Sequence, residues 1–573
     1  MSTTNMTKPT SMNRLLFLAM VTIAAVVSVT ARAAAPGITG PTFNLTAQTA
    51  YINQPDGNQV YSWGYGCSVT PAGFAPAAIA GAACPTMQVP GPTLIVTEGQ
   101  TVTVNLTNGL PTAAGNTSIL FPGFILTSAC PAGQQGLLTC EAAHNGAVTY
   151  SFVASKPGTY AYYSGTQGDL QVEMGLYGAV IVLPSTVATT AANCNAGLAA
   201  QNLAAAAVHA EKDFRLAHAA YDHPGTCYDR EYLFQFAEMD PRIHQAALAQ
   251  VTAKAACVAG AAGCSLEVPT EPYMPAYYLI NGRSMPDDMD PNYDGVYPHQ
   301  PYNGNPHMHP GEQVLLRVIG QGRWEHPFHE HANHVRILAR DGNLILGNTN
   351  VAYPGAAAAP ALAGLLMFTT DTFPGQTFDG IFYFTGKGLN WDAYGHHPGS
   401  NDPLAEPACT ADANGYNTGF AASDTSFTTP PAPPSPVNYY EWCADHNKPM
   451  EANPLGDVGS GGPMTLPSPN IFANGAWYGG SPYLGPDATL RADSSLGTSG
   501  AGCVTGGTGT NPTPNCTYLQ PSNVQANPAN ERGWAFMWHS HNEREITTNN
   551  VFPGGMFMMM LVDSREFAID ESL

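Results

Sequence analysis

Charge is scarce in this 573-residue chain. Lys, Arg, Asp and Glu make up 11% of its positions, whereas about 25% is usual. Gly and Pro, in contrast, occupy 59 and 49 positions, and both residues interrupt helices. A coiled coil or helical bundle is therefore excluded, and a fold of short strands and many turns is favoured.

The chain also lacks any long basic run. It has 20 Lys and Arg against 42 Asp and Glu, a net charge of −22 at neutral pH. Proteins hold nucleic acids largely by neutralising phosphates with Lys and Arg. We therefore expect no nucleic-acid partner.

Long apolar runs are confined to the start of the chain. Two basic residues, an apolar run at 15–29 and the small-residue sequence Ala31-Arg32-Ala33 follow one another. This order predicts a secretory signal peptide over residues 1–33, because the run is shorter than the roughly 20 residues of a membrane span. A membrane anchor is the alternative. We expect a periplasmic or secreted protein whose mature chain has no transmembrane segment.

No C-x-x-C pair occurs among the twelve cysteines, which argues against a metal thiolate site. An even number of cysteines in an exported chain instead predicts disulfides. Their spacing favours local bridges that close Gly/Pro-rich loops, although sequence alone does not fix the connectivity. The neighbouring pairs are Cys67/Cys84, Cys130/Cys140, Cys194/Cys227, Cys257/Cys264, Cys409/Cys443 and Cys503/Cys516.

Short segments in which apolar and polar residues alternate are separated by Gly and Pro. This pattern predicts two antiparallel β-sandwich domains. They are expected at 36–185 and 229–573, joined by an Ala-rich connector at 186–228. A short helix is expected near 243–256. The Pro-, Gly-, Asn- and Thr-rich stretch at about 388–530 is a disulfide-stapled insertion or a third domain. Strands are expected at 93–96, 101–104, 148–153, 176–182, 232–234, 277–280, 314–318, 334–339, 534–538 and 556–562.

Candidate metal ligands concentrate in two histidine-rich segments, 326–334 and 539–545. Side chains two residues apart on a strand share a face. His329 with His331, and His539 with His541, therefore each offer two imidazoles in one direction. Four convergent imidazoles suit copper or zinc better than calcium or magnesium. The alternative interpretation is that these are exposed polar positions.

These segments resemble motifs of the multicopper oxidases, which are built from cupredoxin sandwiches. His326-Pro327-Phe328-His329-Glu330-His331 is similar to the H-P-x-H-L-H motif, and 538–541 with Gly555-Met556 to the terminal H-C-H…G-M motif. Val89-Pro90-Gly91-Pro92-Thr93 looks like the family's opening strand. The resemblance implies an all-β fold of tandem cupredoxin-like Greek-key β-sandwich domains with long loop insertions. It also implies copper-dependent oxidoreductase ancestry.

The chain departs from this family at the copper ligands. Leu120-Phe121-Pro122-Gly123 and Tyr163-Ser164-Gly165 stand where the first domain of the family supplies four histidines to a three-copper cluster. Ser540 stands at the position of the blue-copper cysteine, and Glu545 at that of a blue-copper histidine. A laccase reaction, which needs several coppers and an electron-entry site, is therefore not expected.

Residue-by-residue transfer still leaves a set of candidate ligands. They are His326 and Met556 from the blue site, and His329, His331, His539 and His541 from the cluster. Glu543 and Glu545 are the candidate proton acceptors. These residues predict a copper-dependent oxidoreductase with a His-rich, non-blue centre of one or two ions, with zinc and manganese left open.

The substrate expected for such a centre is a small molecule or a metal ion. The sequence leaves open whether the protein forms a homo-oligomer. The rival hypothesis is a non-catalytic copper-binding or structural protein of the cell envelope.

The copper-loaded protein should lack the intense absorption of blue copper near the red end of the spectrum. That band requires a thiolate bond, which the hydroxyl of Ser540 cannot form. Visible spectra of the wild type and of Ser540→Cys check this, since only the variant offers a thiolate at this position. A blue wild-type protein would contradict our alignment of the terminal motif.

Overall fold

The structure, a computed structural model, describes residues 34–186, 194, 211–309, 311–353, 356–384, 481–483, 533–563, 569 and 571. The expected signal peptide at 1–33 lies outside the described residues. So do part of the connector and, apart from 481–483, the stretch at about 388–530. No described helix is long and apolar enough to cross a membrane.

The first sandwich is built from strands whose alternation buries one face. In Thr101–Asn108, for example, Val102, Val104 and Leu106 are at most 1% exposed, whereas the residues between them face outwards. Its strands are β1 (Gly37–Thr39), β2 (Thr42–Asn53), β3 (Gln59–Cys67), β4 (Phe74–Ala75), β5 (Leu94–Thr97), β6 (Thr101–Asn108), β7 (Ala147–Val153), β8 (Gly158–Tyr163) and β9 (Tyr177–Leu183). One sheet has the order β3-β2-β6-β7, and the other β4-β1-β5-β9-β8.

These sheets are mixed, which corrects the antiparallel arrangement expected from the sequence. β1 with β5, β5 with β9 and β2 with β6 run parallel. Hydrophobic alternation indicates which face of a strand is buried but not the direction of its neighbour. Because β2 and β3 lie in the opposite sheet, the chain crosses the sandwich between β1 and β5, and such a crossover permits parallel pairing.

The second sandwich follows the same plan. Its strands are β10 (Arg230–Met239), β11 (Tyr277–Ile280), β12 (His307–Met308), β13 (Gln313–Gly320), β14 (His326–Glu330), β15 (Val335–Arg340), β16 (Asn343–Leu344), β17 (Leu346–Tyr353), β18 (Ala356–Leu362), β19 (Leu366–Met367), β20 (Thr369–Thr372), β21 (Thr377–Tyr383), β22 (Ser481–Tyr483), β23 (Gly533–Ser540) and β24 (Phe557–Asp563). One sheet has the order β11-β10-β13-β21-β15-β16, with β19 on β15. The other has the order β12-β24-β23-β14-β20, with β22 on β23, and β17 pairs with β18 separately.

Helices are short. α1 spans Gly168–Gln171 and α2 spans Pro241–Ala253, and single 3₁₀ turns lie at Thr112–Ala114, Pro224–Thr226 and Asp287–Met289. α2 begins where Asp240 accepts a hydrogen bond from the Arg242 backbone N–H and Pro241 occupies the first turn, both favoured start signals. The helix expected near 243–256 is thus confirmed, two residues earlier at its start.

The two sandwiches pack through an apolar interface. Val89 and Tyr177 of the first contact a cluster that includes Ala237 and Leu279 of the second. Charges that enter this region are paired: Arg317, 0% exposed, donates to Glu231 over 2.8 Å. Pairing is the usual condition for burying such groups. A separate hydrogen bond, from the Arg317 guanidinium to the Thr159 hydroxyl over 3.2 Å, joins the second sandwich to the first.

Four of the expected disulfides are present. The bridges are Cys67–Cys84, Cys130–Cys140, Cys194–Cys227 and Cys257–Cys264. The other two expected pairs, Cys409/Cys443 and Cys503/Cys516, lie outside the described residues. Each observed bridge joins neighbours in sequence, so it restrains a local loop.

Alkylation of the denatured, unreduced protein should leave these eight cysteines unmodified. Peptide mapping by mass spectrometry should recover the four linked peptides. Opening the bridge between Cys67 and Cys84, 17 residues apart, with a double Cys→Ala variant should lower the free energy of unfolding by about 3 kcal/mol, because the unfolded chain regains loop entropy. Alkylated peptides from this set would contradict the pairing.

Candidate metal centre

Strand pairing brings the two histidine segments together. β14 and β23 are antiparallel neighbours, and His329 lies opposite His539 in their register. Alternation then sets the direction of each side chain. Phe328 and Trp538 are both 0% exposed and pack into the apolar core, so the histidines next to them point to the other face. We call this face, away from the core, the outer face of the sheet.

Four imidazoles meet on the outer face. The ring centre of His329 lies 4.9 Å from those of His331 and His541, and 5.5 Å from that of His539. The Nε2 atoms of His331 and His539 are 3.4 Å apart. One nitrogen each of His329, His331 and His539 lies within 4.8 Å of the others. Small ring rotations would therefore bring three imidazoles onto one ion.

The imidazoles of His329, His331 and His539 are held in their neutral form. Burial, reinforced by the neighbouring histidines, lowers the pKa of His329 and of His331 to about 4. Burial lowers the pKa of His539 as well. Neutral imidazole is the form that binds a metal, so no proton has to be displaced from these rings at neutral pH.

Hydrogen bonds also orient two of the rings. Nδ1 of His539 lies 2.7 Å from the Ser540 carbonyl oxygen, an acceptor, so Nδ1 carries the hydrogen. This leaves Nε2 of His539 with a free lone pair, directed towards His331. Nδ1 of His329 contacts the Thr369 hydroxyl at 2.6 Å. Such second contacts fix the ring orientation of metal-binding histidines.

His541 and Glu543 form the open side of the group. Their side chains are 54% and 79% exposed, and His541 Nδ1 lies 3.9 Å from Glu543 Oε1. The other three histidines are half-buried or buried. Solvent and small molecules therefore reach the cluster at this side.

His326 lies on the opposite, inner face of β14. It lies two residues before Phe328 on the same strand, so its side chain points to the same, inner face. It is 0% exposed. Nδ1 and Nε2 lie 2.9 Å from Glu545 Oε2 and 3.0 Å from Glu238 Oε2. Burial alone would lower the pKa of His326, but hydrogen bonds and charge attraction from both carboxylates outweigh it and raise the pKa to about 9. His326 is therefore an imidazolium that donates to two glutamates.

Ser540 and Glu545 complete this inner-face network. The Ser540 hydroxyl donates to Glu545 Oε2 at 2.5 Å, and the Asn542 side chain donates to Glu545 Oε1 at 2.9 Å. Glu545 is 0% exposed. It thus anchors the turn between His539 and His541, whereas the exposed Glu543 faces solvent.

Sequence reasoning missed Glu238, the second partner of His326. Glu238 lies 88 residues away on β10, and it also accepts hydrogen bonds from Tyr273 and from the backbone of Arg323. The available signal was an acidic residue near the end of a largely apolar strand, 232–239.

Met556 is not brought to the four imidazoles. It is 0% exposed and packs in the core of the second sandwich. Its backbone bonds to Glu545 and Ser540. Of the eight predicted site residues, the outer face thus gathers His329, His331, His539, His541 and Glu543, while His326, Glu545 and Met556 lie on the inner side.

The donor sets differ in their fit to copper. The outer face offers neutral imidazoles, which suit copper or zinc. The inner network does not fit blue copper, because Ser540 supplies no thiolate and both nitrogens of His326 already donate to carboxylates.

A second group of charged residues is Glu211, His309 and Glu312, whose ligand atoms lie within 4.8 Å of one another. Arg230 already donates to Glu211 at 2.7 Å and to Glu312 at 2.6 Å. The guanidinium supplies the positive charge that a metal would bring, so this group is a buried ion-pair cluster.

Residues 82–186 match the family model described as multicopper oxidase. At these residues the chain resembles a multicopper oxidase domain. The resemblance to this family is thus confirmed through the segment that contains 89–93, and the family implies copper binding; the two histidine motifs lie outside the matched residues. An L-ascorbate oxidase of Brassica rapa subsp. pekinensis is 38% identical over 96 residues, which make up 17% of this multicopper-oxidase-like chain. The match spans 16% of that relative's length.

Solved structures of similar proteins include a multicopper oxidase, mgLAC, with a TM-score of 0.41 and 13% identity, covering 91% of this chain and 86% of that one. The blue copper oxidase from Nitrosomonas europaea has a TM-score of 0.41 and 14% identity, covering 91% of this chain and 85% of that one.

The ion triad of His326, Glu238 and Glu545 should make stability fall at alkaline pH. The pKa of His326 is about 9 in the folded protein and about 6.5 when unfolded. Its contribution is therefore fully present below about pH 6.5 and is lost as the pH rises through about 9.

Urea unfolding at several pH values, for the wild type and for His326→Gln, measures this contribution. The difference in unfolding free energy between the two proteins should shrink from pH 6.5 to 9.5. If the unfolding free energies of the two proteins changed with pH in the same way, His326 would not be protonated in the folded protein.

Proposed function

We propose that this chain is an exported, copper-dependent oxidoreductase that acts at the non-blue, four-histidine centre on the outer face of β14 and β23. The convergence of His329, His331 and His539, with ligand atoms within 4.8 Å of one another, is the observation that carries this proposal. The multicopper oxidase match at 82–186 makes copper the first choice of metal.

Different residues of the chain would have different roles at such a centre. His329, His331 and His539 would hold the metal, and His541 would be the fourth, more exposed ligand. Bound copper would supply one-electron redox chemistry. Thr369 and the Ser540 carbonyl keep two of the rings turned towards the centre.

Glu543 is the better placed of the two candidate proton acceptors. Its carboxylate is 79% exposed and lies beside His541, where a substrate proton can be taken up and passed to solvent. Glu545 is buried and bonded to His326, Ser540 and Asn542. We assign Glu545 a positioning role, because it fixes the turn that carries His541.

Further parts of the proposal concern the whole protein. Four local disulfides support export to an oxidising compartment, because such bridges persist there. The signal peptide at 1–33, the boundaries at 36–185 and 229–573, the substrate as small molecule or metal ion, and a homo-oligomer stay predictions.

A non-catalytic copper-binding protein of the cell envelope is the second candidate. One observation favours it: the position of the electron-entry site is occupied by the Ser540–Glu545–His326 network. Without such an entry site, bound copper would be stored or carried rather than turned over.

Metal analysis combined with turnover separates these functions. The purified protein should contain copper and should oxidise a one-electron donor with O₂ or peroxide, at a rate that falls sharply in His539→Ala. Copper that is bound but redox-silent would support the second candidate. A protein that binds no metal after copper loading would contradict both.

Metal affinity should depend on both histidine segments together. A ligand held only by the native state stabilises by RT ln(1 + [L]/Kd), about 2.7 kcal/mol at a hundredfold excess over Kd. His331→Ala and His541→Ala should each remove most of the copper-induced rise in melting temperature, and the double variant should lose little more.

The matched control is His144→Ala, since His144 lies in the first sandwich and bonds to the Leu110 carbonyl. The rise in melting temperature that copper induces in this variant should equal that of the wild type. Small, additive losses in the two cluster variants would mean that the histidines act as separate surface residues.

A further inference from the structure

A cavity of about 440 Å³ lies between the two sandwiches. Its volume falls in the range of roughly 300–1,000 Å³ that is typical of small-molecule sites. The first sandwich contributes Leu120, Tyr163 and Val172, and the second contributes Arg323 and Pro374. None of the described residues that line it is a histidine, so the cavity is distinct from the proposed metal site.

The walls combine apolar surface with polar groups that have unused hydrogen-bonding capacity, among them Tyr163 and the exposed Asp169. Leu120, Val172 and Pro374 provide the apolar part. The Tyr163 hydroxyl has no hydrogen bond within the described residues, and Asp169 uses only Oδ2, which accepts from Thr270 at 2.9 Å. A ligand with an apolar body and a donor group therefore finds partners at Oδ1 of Asp169 and at the Tyr163 hydroxyl.

The charge of Arg323 is already matched. Its guanidinium donates to Glu271 at 2.6 Å and to the Thr270 carbonyl at 3.0 Å, and it stacks 4.1 Å over the Tyr273 ring. Asp169, in contrast, accepts from a neutral hydroxyl. The lining thus contains one carboxylate with no cationic partner.

Two buried carboxylates lie behind the wall, and one of them, Glu238, is already paired with the His326 imidazolium. Glu173 follows Val172 directly, and Glu238 accepts from the Arg323 backbone at 2.7 Å. Both carboxylates accept from the Tyr273 hydroxyl. The chain as a whole carries a net charge of −22, which favours cations over anions near its surface.

We propose that this cavity binds a small organic ammonium ion with a short apolar tail. The ammonium group donates to Asp169 Oδ1 and to the Tyr163 oxygen, while the tail packs against Leu120, Val172 and Pro374. This assignment is independent of metal binding.

Isothermal titration of the full chain with n-hexylammonium, 1-hexanol and hexanoate tests the charge preference. The three probes share a tail and differ in the charge of the head group. Hexylammonium should bind at least about tenfold more tightly than hexanol, as a charge-assisted hydrogen bond implies, and hexanoate should not bind. Equal binding of all three, or no binding of hexylammonium, would overturn the proposal.

Variants locate the binding. Asp169→Asn keeps the acceptor for Thr270 but removes the charge, and should weaken hexylammonium binding about tenfold without changing the affinity for hexanol. Tyr163→Phe should weaken it by a smaller factor. Glu267→Gln, which removes an exposed carboxylate that does not line the cavity, is the control and should bind as the wild type does.

Melting curves confirm that each variant is folded. Loss of binding in Glu267→Gln to the same extent as in Asp169→Asn would mean that general charge attraction, and not the cavity, holds the cation.

Discussion

The register between β14 and β23 is the constraint on which the proposed chemistry depends. His329 opposite His539 places two histidine segments, about 210 residues apart in sequence, at one end of one sheet. A slip of one residue would turn every side chain of a strand to the other face. Burial of Phe328 and Trp538 prevents that slip, because it would expose two large aromatic rings.

The same alternation separates two environments that are adjacent in sequence. On the inner face, His326, Ser540 and Glu545 are 0% exposed and exchange hydrogen bonds with one another and with Glu238. On the outer face the imidazoles of His329, His331 and His539 are neutral, and the cluster is partly open to solvent. A proton thus occupies the inner position where the family resemblance implies a blue copper, and only the outer position retains ligands suited to a metal.

Much of the fold could be predicted from sequence because alternation and Gly/Pro punctuation are local signals. β11 was predicted with its observed bounds, and nine other strands within a few residues. β3 was missed, and its glycines explain why: Gly64 and Gly66 disfavour a strand locally, yet a Cβ there would collide with the backbone at Gln88 and at Thr86. Glycine is required at these two positions by contacts with a segment that is distant in sequence, and no local sequence pattern reveals such contacts.

The site was predictable to a similar degree. The H-x-H spacing gave the four outer imidazoles, since it depends only on strand geometry. The contact of His326 with Glu238 depends on the packing of β10 against β14, which no spacing within either segment reveals. The parallel pairing of strands could not be predicted from the sequence for the same reason, because it depends on contacts between distant segments.

X-ray absorption at the copper edge of the loaded protein tests the central claim most directly, because it reports the atoms bound to the metal. The account predicts nitrogen ligands with the outer scattering of at least three imidazoles and no sulfur, and a loss of imidazole scattering in His539→Ala. A sulfur ligand, or a spectrum with fewer than two imidazoles that is unchanged in that variant, would contradict it.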